Sequence, residues 1–379
     1  MDASARTAVP VSAPRGHASD RLLAIQAARG VAALLVVIYH ATRSLSLPQY
    51  LGTIALDNVF GFGHAGVDFF FVLSGFIITY VHHTDLGRPE RLGRYTWRRL
   101  TRIYPIYWII TLVIVARDLL APNAAERLSP MILAESLTLF PLGHEPLIPV
   151  AWTLEHELLF YCAFGLAILN RRAGRVAILV GLSLIATGQF TMTRSGIANF
   201  MTTPFHLQFL MGIAVARLVA TRTIPVPHLF TGFGVLLFGL AGVLDVAGVI
   251  AVNQLVTILL YGSSSALIIT GVAVAERAGS IRCGRAAELF GGASYVLYLI
   301  HPLLVGVIAR AFAASGLLWR APAWSIVLTQ VVLSLMAAII IHRMIEQPMM
   351  RWIRRLERSR LHRASVSQAG GSQAGGSAR

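Results

Sequence analysis

Ten apolar stretches, each near the length needed to cross a lipid bilayer, recur along this chain and leave little sequence for anything else. They fall near 22–42, 66–83, 103–120, 152–169, 175–190, 200–219, 229–244, 254–275, 289–313 and 324–345. A hydrocarbon core about 30 Å thick takes about 20 helical residues, and a backbone inside it must satisfy its own hydrogen bonds. The chain is 56% hydrophobic and 13% charged, whereas soluble domains carry about 25% charged residues. The expected fold is therefore all-α: a polytopic membrane helix bundle of about ten transmembrane helices. Several stretches are short or broken by Gly and polar residues, which predicts tilted helices around a polar interior.

Charge placement sets the expected orientation. All 32 basic residues are Arg. With ten spans and the N-terminus inside, Arg43, Arg117, Arg127, Arg194, Arg310 and Arg320 fall on the outer side, Arg29 lies within a span, and the rest fall on the inner side. That bias predicts both termini to be cytoplasmic. The net charge of +15 then reflects orientation and contact with membrane lipids. It does not point to nucleic acid, which would need a soluble basic face with interleaved aromatics. Residues 1–20, rich in Ser, Ala and Pro, are expected to be a disordered cytoplasmic tail. Residues 21–356 form the membrane domain, and residues 357–379, with a repeated Ser-Gln-Ala-Gly-Gly, a second disordered cytoplasmic tail. Cys162 and Cys283 read as free thiols. No Cys/His cluster, HExxH or Walker loop is present, so no metal is expected and ATP-driven chemistry loses weight.

Polar residues within the spans carry the functional signal. Arg29 and His40 are eleven residues apart in the first span. At about 100° per residue this is three turns, so both side chains share one helix face, about 16 Å apart along the axis. Titratable groups inside a bilayer are costly and mark functional paths. On the expected orientation Arg29 lies in the inner half, while His40, Asp68, Trp152, Glu155 and Glu157 lie near the outer ends of three spans. A carboxylate beside an imidazole fixes its tautomer and strengthens it as a base, so Asp68, Glu155 or Glu157 is expected to orient His40. Asp68 has a second reading as a helix-start residue interacting with the dipole. Glu155 and Glu157 are two apart, about 200° around a helix, so only one can line a given cavity. Ser74 and Gly75 read as small residues for close helix packing.

The inner side has its own cluster. Arg94, Arg98, Arg99 and Arg102 precede the third span. Arg98 and Arg102 are one turn apart with Arg99 adjacent, a fork suited to bidentate phosphate binding. The positive-inside rule alone supplies the competing reading. His301, just before Pro302 in the ninth span, either satisfies backbone groups freed by the kink or shares the same channel. Glu346 is expected to pair with an Arg at the inner surface.

These residues together resemble the acyltransferase type 3 family of integral membrane proteins. The matching blocks are Arg29-x10-His40, Gly66-Val-Asp68-Phe-Phe-Phe-Val-Leu-Ser-Gly75-Phe, Arg98-Arg99-Leu-Thr-Arg102-Ile-Tyr-Pro105, Trp152-Thr-Leu-Glu-His-Glu157-Leu-Leu-Phe-Tyr161, Ser294-Tyr-Val-Leu-Tyr-Leu-Ile-His301-Pro and Glu346-Gln-Pro348. Six blocks in order cover about residues 20–356. The fourth-span block is most similar to the exopolysaccharide acetyltransferase branch, although His156 stands where Tyr is common there.

The resemblance implies a multi-pass O-acyltransferase of the bacterial cytoplasmic (inner) membrane. It would take an acyl group, expected to be acetyl, from acyl-CoA as co-substrate, with no permanently bound cofactor. The acceptor would be a sugar hydroxyl of a cell-surface glycan or its lipid-linked precursor, with polysaccharide-assembly proteins as candidate partners. Arg98, Arg99 and Arg102 would hold the CoA phosphates, and Arg29 would steady negative charge near the thioester or leaving thiolate. His40 would serve as general base or transient acyl carrier, with Asp68, Glu155 or Glu157 orienting it or the acceptor. Trp152 and His301 would contact substrate. Two rivals stay open: a transporter or flippase for a lipid-linked sugar, since buried Arg, His and carboxylates also fit a proton-coupled carrier, and an acyltransferase acting on a small molecule such as a macrolide.

Overall fold

A computed structural model describes residues 22–121, 123–190, 196–357 and 359 of the chain. All of its regular elements are helical among these residues. They are α1 (Leu23–Ser44), α2 (Gly66–His82), α3 (Leu92–Asp118), α4 (Ala124–Arg127), α5 (Pro130–Thr138), α6 (Trp152–Leu169), α7 (Arg171–Gly188), α8 (Gly196–Thr202), α9 (His206–Thr221), α10 (Pro227–Val246), α11 (Gln254–Arg277), α12 (Arg285–Ala314) and α13 (Ala323–Ile341). A π-turn at His342–Glu346 follows α13, and the helix then runs on to Glu357. The tails expected at 1–20 and 357–379 lie outside the described residues, apart from Glu357 and Ser359.

Nine helical segments among the described residues are long and apolar enough to cross a membrane, against the ten expected. The difference is the stretch at 175–190, which forms α7. This helix has only 18 residues and opens on Arg171 and Arg172, with Arg175 one turn later. Those charges remove it from the apolar class despite a length of about 27 Å. Its start is nonetheless firm: the Asn170 side chain accepts the backbone N–H groups of Arg172 and Ala173, the N-cap arrangement that satisfies orphan donors.

The packing defines two ends. At one, the Ala24 N–H donates to Glu276 of α11, Arg171 donates to the Leu86 carbonyl, and Arg94 and Arg98 of α3 pair with Glu357. This end collects the starts of α1, α3 and α12 and the finish of α2 and α6. At the other, His64 meets Asp245 at the finish of α10, and Tyr298 of α12 approaches the Val150 carbonyl before α6.

Lipid tails are as apolar as leucine, so hydrophobicity alone does not join these helices; close contact and interhelical hydrogen bonds do. A Cβ on Gly63 would come within 2.5 Å of the Leu35 carbonyl, and one on Gly66 within 2.3 Å of the Ala32 carbonyl. These two glycines therefore let the start of α2 press directly on α1. Inside, Phe71, Ile103, Ile106, Tyr107, Phe160 and Phe164 fill the space between α2, α3 and α6, while Ile25, Phe69, Phe76, Val215 and Ile269 join α1 and α2 to α9 and α11. Leu229, Leu236 and Val243 of α10 stay exposed, as a lipid-facing surface requires.

Candidate active site

Helices α1, α2, α3, α6 and α12 enclose a cavity of about 120 Å³. Its charged lining is Arg29, Arg99 and Arg102 facing the single carboxylate of Glu157. Glu157 accepts hydrogen bonds from Ser74 at 3.1 Å and Tyr161 at 2.5 Å. Arg29 donates to Ser294 Oγ at 2.8 Å and to the Gly291 carbonyl at 2.7 Å, both on α12.

The other two arginines are less fully used. Arg99 lies between the Tyr95 and Tyr161 rings, each centroid 5.9 Å away, and contacts His82 Nε2 at 3.0 Å. A guanidinium can only donate, so His82 Nε2 accepts and His82 Nδ1–H donates to Asp85 at 2.8 Å. Arg99 Nε is buried with no partner. Arg102 rests over the Tyr295 ring at 5.9 Å and makes no hydrogen bond or ion pair among the described residues. Buried donors left unpaired cost about 1–3 kcal/mol each, more when charged. The excess of cations and the idle donors fit an anionic ligand such as a phosphate.

The cavity closes at Tyr298 and Thr153, whose hydroxyls are 3.0 Å apart. Behind Tyr298, ring centroids 5.9 Å apart, is His301, and His301 Nε2 lies 3.3 Å from His40 Nδ1. His40 Nδ1 also contacts the Val36 carbonyl at 2.9 Å. A carbonyl can only accept, so the ring proton sits on Nδ1 and Nε2 keeps its lone pair. His301 is held the same way, Nδ1 to the Leu297 carbonyl at 3.2 Å. Ser294, Tyr298 and His301 follow the i, i+4, i+7 stripe of α12, and Arg29 and His40 share one face of α1. One pair of helices thus carries both the arginine rung and the histidine rung.

A family model described as an acyltransferase domain matches residues 22–343. The chain belongs to the acyltransferase type 3 family. It is 30% identical over 304 residues to the exopolysaccharide production protein ExoZ of Rhizobium meliloti (strain 1021), covering 77% of this chain and 91% of that protein. It is 26% identical over 376 residues to the acyltransferase MdmB of Streptomyces mycarofaciens, covering 88% and 93%. No solved structure matches the chain. The protein is accordingly an O-acyltransferase, not the transporter that its buried charges also allowed.

Several residues of this acyltransferase stand elsewhere than the sequence suggested. Asp68 does not reach His40: it faces α9 and accepts a short hydrogen bond from Gln208 Nε2, which also donates to the Ile258 carbonyl at 3.1 Å. Its position on α2 is one residue from the cavity-lining Val67, a rotation of about 100°. Glu155 and Glu157 part as their spacing requires. Glu157 lines the cavity, while Glu155 is buried away from it with Oε1 unpartnered. Neither carboxylate orients His40; His301 and the Val36 carbonyl do. Arg98 leaves the fork because Glu357, on the long final helix, draws it to the outer face with Arg94. The fork in the cavity is Arg99 with Arg102. Trp152 packs against Phe71, His156 and Phe205 outside the cavity. Ser74 does more than pack, and Glu346 pairs with His342 rather than an Arg.

Tyr161, Ser294, Tyr295 and Tyr298 were missed as lining residues. Tyr161 is one turn after Glu157, and Tyr298 and Ser294 are one and two turns before His301, a signal that could have found these three; Tyr295, six residues before His301, had no such signal.

Proposed function

We propose that this acyltransferase moves an acetyl group from acetyl-CoA on the cytoplasmic side to a sugar hydroxyl of a cell-surface polysaccharide or its lipid-linked precursor. The arginine-rich end is cytoplasmic on this reading, consistent with the positive-inside bias. With α7 returning the chain from the end of α6 to the start of α9, ten passages would place both termini on that side, in a bacterial inner membrane. The likeness to ExoZ, an exopolysaccharide production protein, is what favours an exopolysaccharide acceptor.

The observation that carries the reading is the pair of rungs on α1 and α12. Arg99 and Arg102, with their idle donors, hold the donor's phosphates by charge-assisted hydrogen bonds. The pantetheine arm enters the cavity, and the nucleotide stays at its arginine-lined mouth. Arg29 stabilises negative charge developing on the thioester oxygen or leaving sulfur. Tyr298 and Thr153 stand between the arm and the imidazoles, and their separation opens the way to His40. His40 Nε2, with its free lone pair, acts as base or acyl carrier, and His301 Nε2 accepts from His40 Nδ1–H and so shares the positive charge. Trp152 supports this wall through Phe71 instead of touching substrate.

The test combines binding with chemistry. Purified protein binds radiolabelled acetyl-CoA, and a deletion strain regains O-acetyl esters on its surface glycans, read by mass spectrometry, with wild type but not with His40→Ala. Wild type that neither binds acetyl-CoA nor restores any ester ends the proposal.

A further inference from the structure

A second histidine site lies beside His40 at the end of the bundle opposite the arginines. His64, on the turn Gly61–Ala65 before α2, has Nε2 2.8 Å from Asp245 Oδ2 at the finish of α10. Tyr261 of α11 donates its hydroxyl to the same oxygen at 2.9 Å. Two donors on one carboxylate oxygen fix Asp245 as the acceptor, so His64 carries its proton on Nε2. Nδ1 then keeps its lone pair and has no protein partner among the described residues. The carboxylate is 10% exposed and the imidazole 38%: the orienting group is nearly buried and the imidazole is partly open. This is the arrangement by which a carboxylate prepares an imidazole as a base.

Tyr39 joins the two histidines. Its ring meets His40 edge-on at 5.1 Å and His64 edge-on at 5.6 Å between centroids. The contact exists because Gly63 lets the His64 turn sit against α1 at Leu35 and Tyr39. His40 is therefore flanked on two sides: by His301, with Tyr298 and the arginine cavity beyond it, and by Tyr39, with His64 beyond it.

We infer that His64, oriented by Asp245 and Tyr261, is the base that deprotonates the acceptor hydroxyl, which enters from the end opposite the acyl donor. The inference rests on the acyltransferase reading above and divides its labour. The acceptor oxygen bonds the acyl carbon while its proton passes to His64 Nδ1. The bond from the acyl carbon to its carrier, the CoA sulfur or His40 Nε2, breaks, and the leaving atom keeps the electron pair. The proton on His64 departs to solvent; one proton is taken up by the CoA sulfur, in this step or earlier when it leaves to His40, and His40 Nε2 returns with its lone pair, so ester and free CoA thiol are formed with no further reactant. Donor and acceptor then need never share a mouth, as a transfer across the membrane demands.

The experiment uses membrane vesicles from the producing strain, which hold the natural acceptor, together with purified full-length protein and radiolabelled acetyl-CoA. His64→Ala and Asp245→Asn are expected to bind acetyl-CoA within twofold of wild type and to lose transfer to vesicle glycan at least a hundredfold and tenfold, respectively. Added imidazole is expected to restore a measurable part of the His64→Ala transfer and none of the His40→Ala transfer. Wild-type transfer in His64→Ala overturns the inference. Joint loss of acetyl-CoA binding and transfer in both variants, with no imidazole rescue, also overturns it by showing a clamp for the fold. Failure of wild type to bind acetyl-CoA would instead count against the donor reading, and is seen before any His64 variant is made.

Discussion

His301 and His40 face each other across α12 and α1 with 3.3 Å between ring nitrogens, and the carbonyls behind them dictate which nitrogen carries each proton. When His40 Nε2 gains an acyl group or a proton, its Nδ1–H becomes more acidic and His301 Nε2 is the acceptor in reach. His301 is thus a positioning residue for His40. His301→Ala should lower transfer about tenfold to a hundredfold, below the 10²–10⁴ typical of a general base itself, while acetyl-CoA affinity holds. His301→Gln, whose amide oxygen can accept from His40, should recover part of the loss. Glycan O-acetyl content and acetyl-CoA binding measured side by side check this; equal activity in all three proteins would refute it.

Arg99 and Arg102 line the cavity whereas Arg98 pairs with Glu357 outside it. Hydrogen bonds to charged groups contribute about 1.5–3 kcal/mol, equivalent to roughly 10- to 150-fold in affinity. Arg99→Ala and Arg102→Ala should each weaken acetyl-CoA binding within that range. Arg98→Ala should change it less than threefold, since an exposed ion pair is worth about 0–1 kcal/mol. Equilibrium binding of radiolabelled acetyl-CoA decides, and an Arg98→Ala loss equal to the other two would move the phosphate site to the outer face.

Much of this site was legible because membrane helices obey one period. The eleven-residue interval from Arg29 to His40 correctly put both on one face, and the two-residue interval from Glu155 to Glu157 correctly parted them. Depth matching was less informative. α2 runs antiparallel to α1 with Gly66 already against Ala32, so Asp68 lies inward of His40 and turns to Gln208; that register and azimuth follow from which helices pack together. Arg98 shows the same limit: Glu357 is 259 residues distant in sequence, and nothing local announces it. The His64–Asp245 contact spans 181 residues and joins a turn to a helix end, so no motif contains it. The span count differed at α7 alone, where three arginines weigh against an otherwise adequate length.

The Asp68–Gln208 contact predicts a separation of stability from chemistry. Asp68 is 3% exposed and Gln208 fully buried, with Gln208 Oε1 unpartnered. Asp68→Ala leaves one buried N–H of the Gln208 amide without its acceptor, while the other keeps the Ile258 carbonyl, at a cost of about 1–3 kcal/mol, so less protein should survive detergent extraction and mild heating. Asp68→Asn preserves shape and can accept from the same amide; per folded molecule its transfer should stay within about threefold of wild type. Size-exclusion profiles after heating, with transfer normalised to folded protein, test both. A hundredfold loss in well-folded Asp68→Asn would return Asp68 to the reaction.

Glu157 predicts opposite signs for folding and for donor binding. It is the one carboxylate among three lining guanidiniums and accepts from Ser74 and Tyr161. Glu157→Gln keeps the shape and removes the charge that offsets Arg29, Arg99 and Arg102. The empty protein should lose about 1.5–3 kcal/mol, the scale of charged hydrogen bonds, and unfold at lower temperature. The cavity would then be more positive, so acetyl-CoA should bind at least as tightly as in wild type and raise the unfolding temperature by more. Thermal unfolding in detergent with and without acetyl-CoA measures both effects. A fall in acetyl-CoA affinity matching that of Arg99→Ala would mean that Glu157 touches the donor directly, with its carboxylate acting on a hydroxyl or amide of the pantetheine arm instead of balancing the arginines.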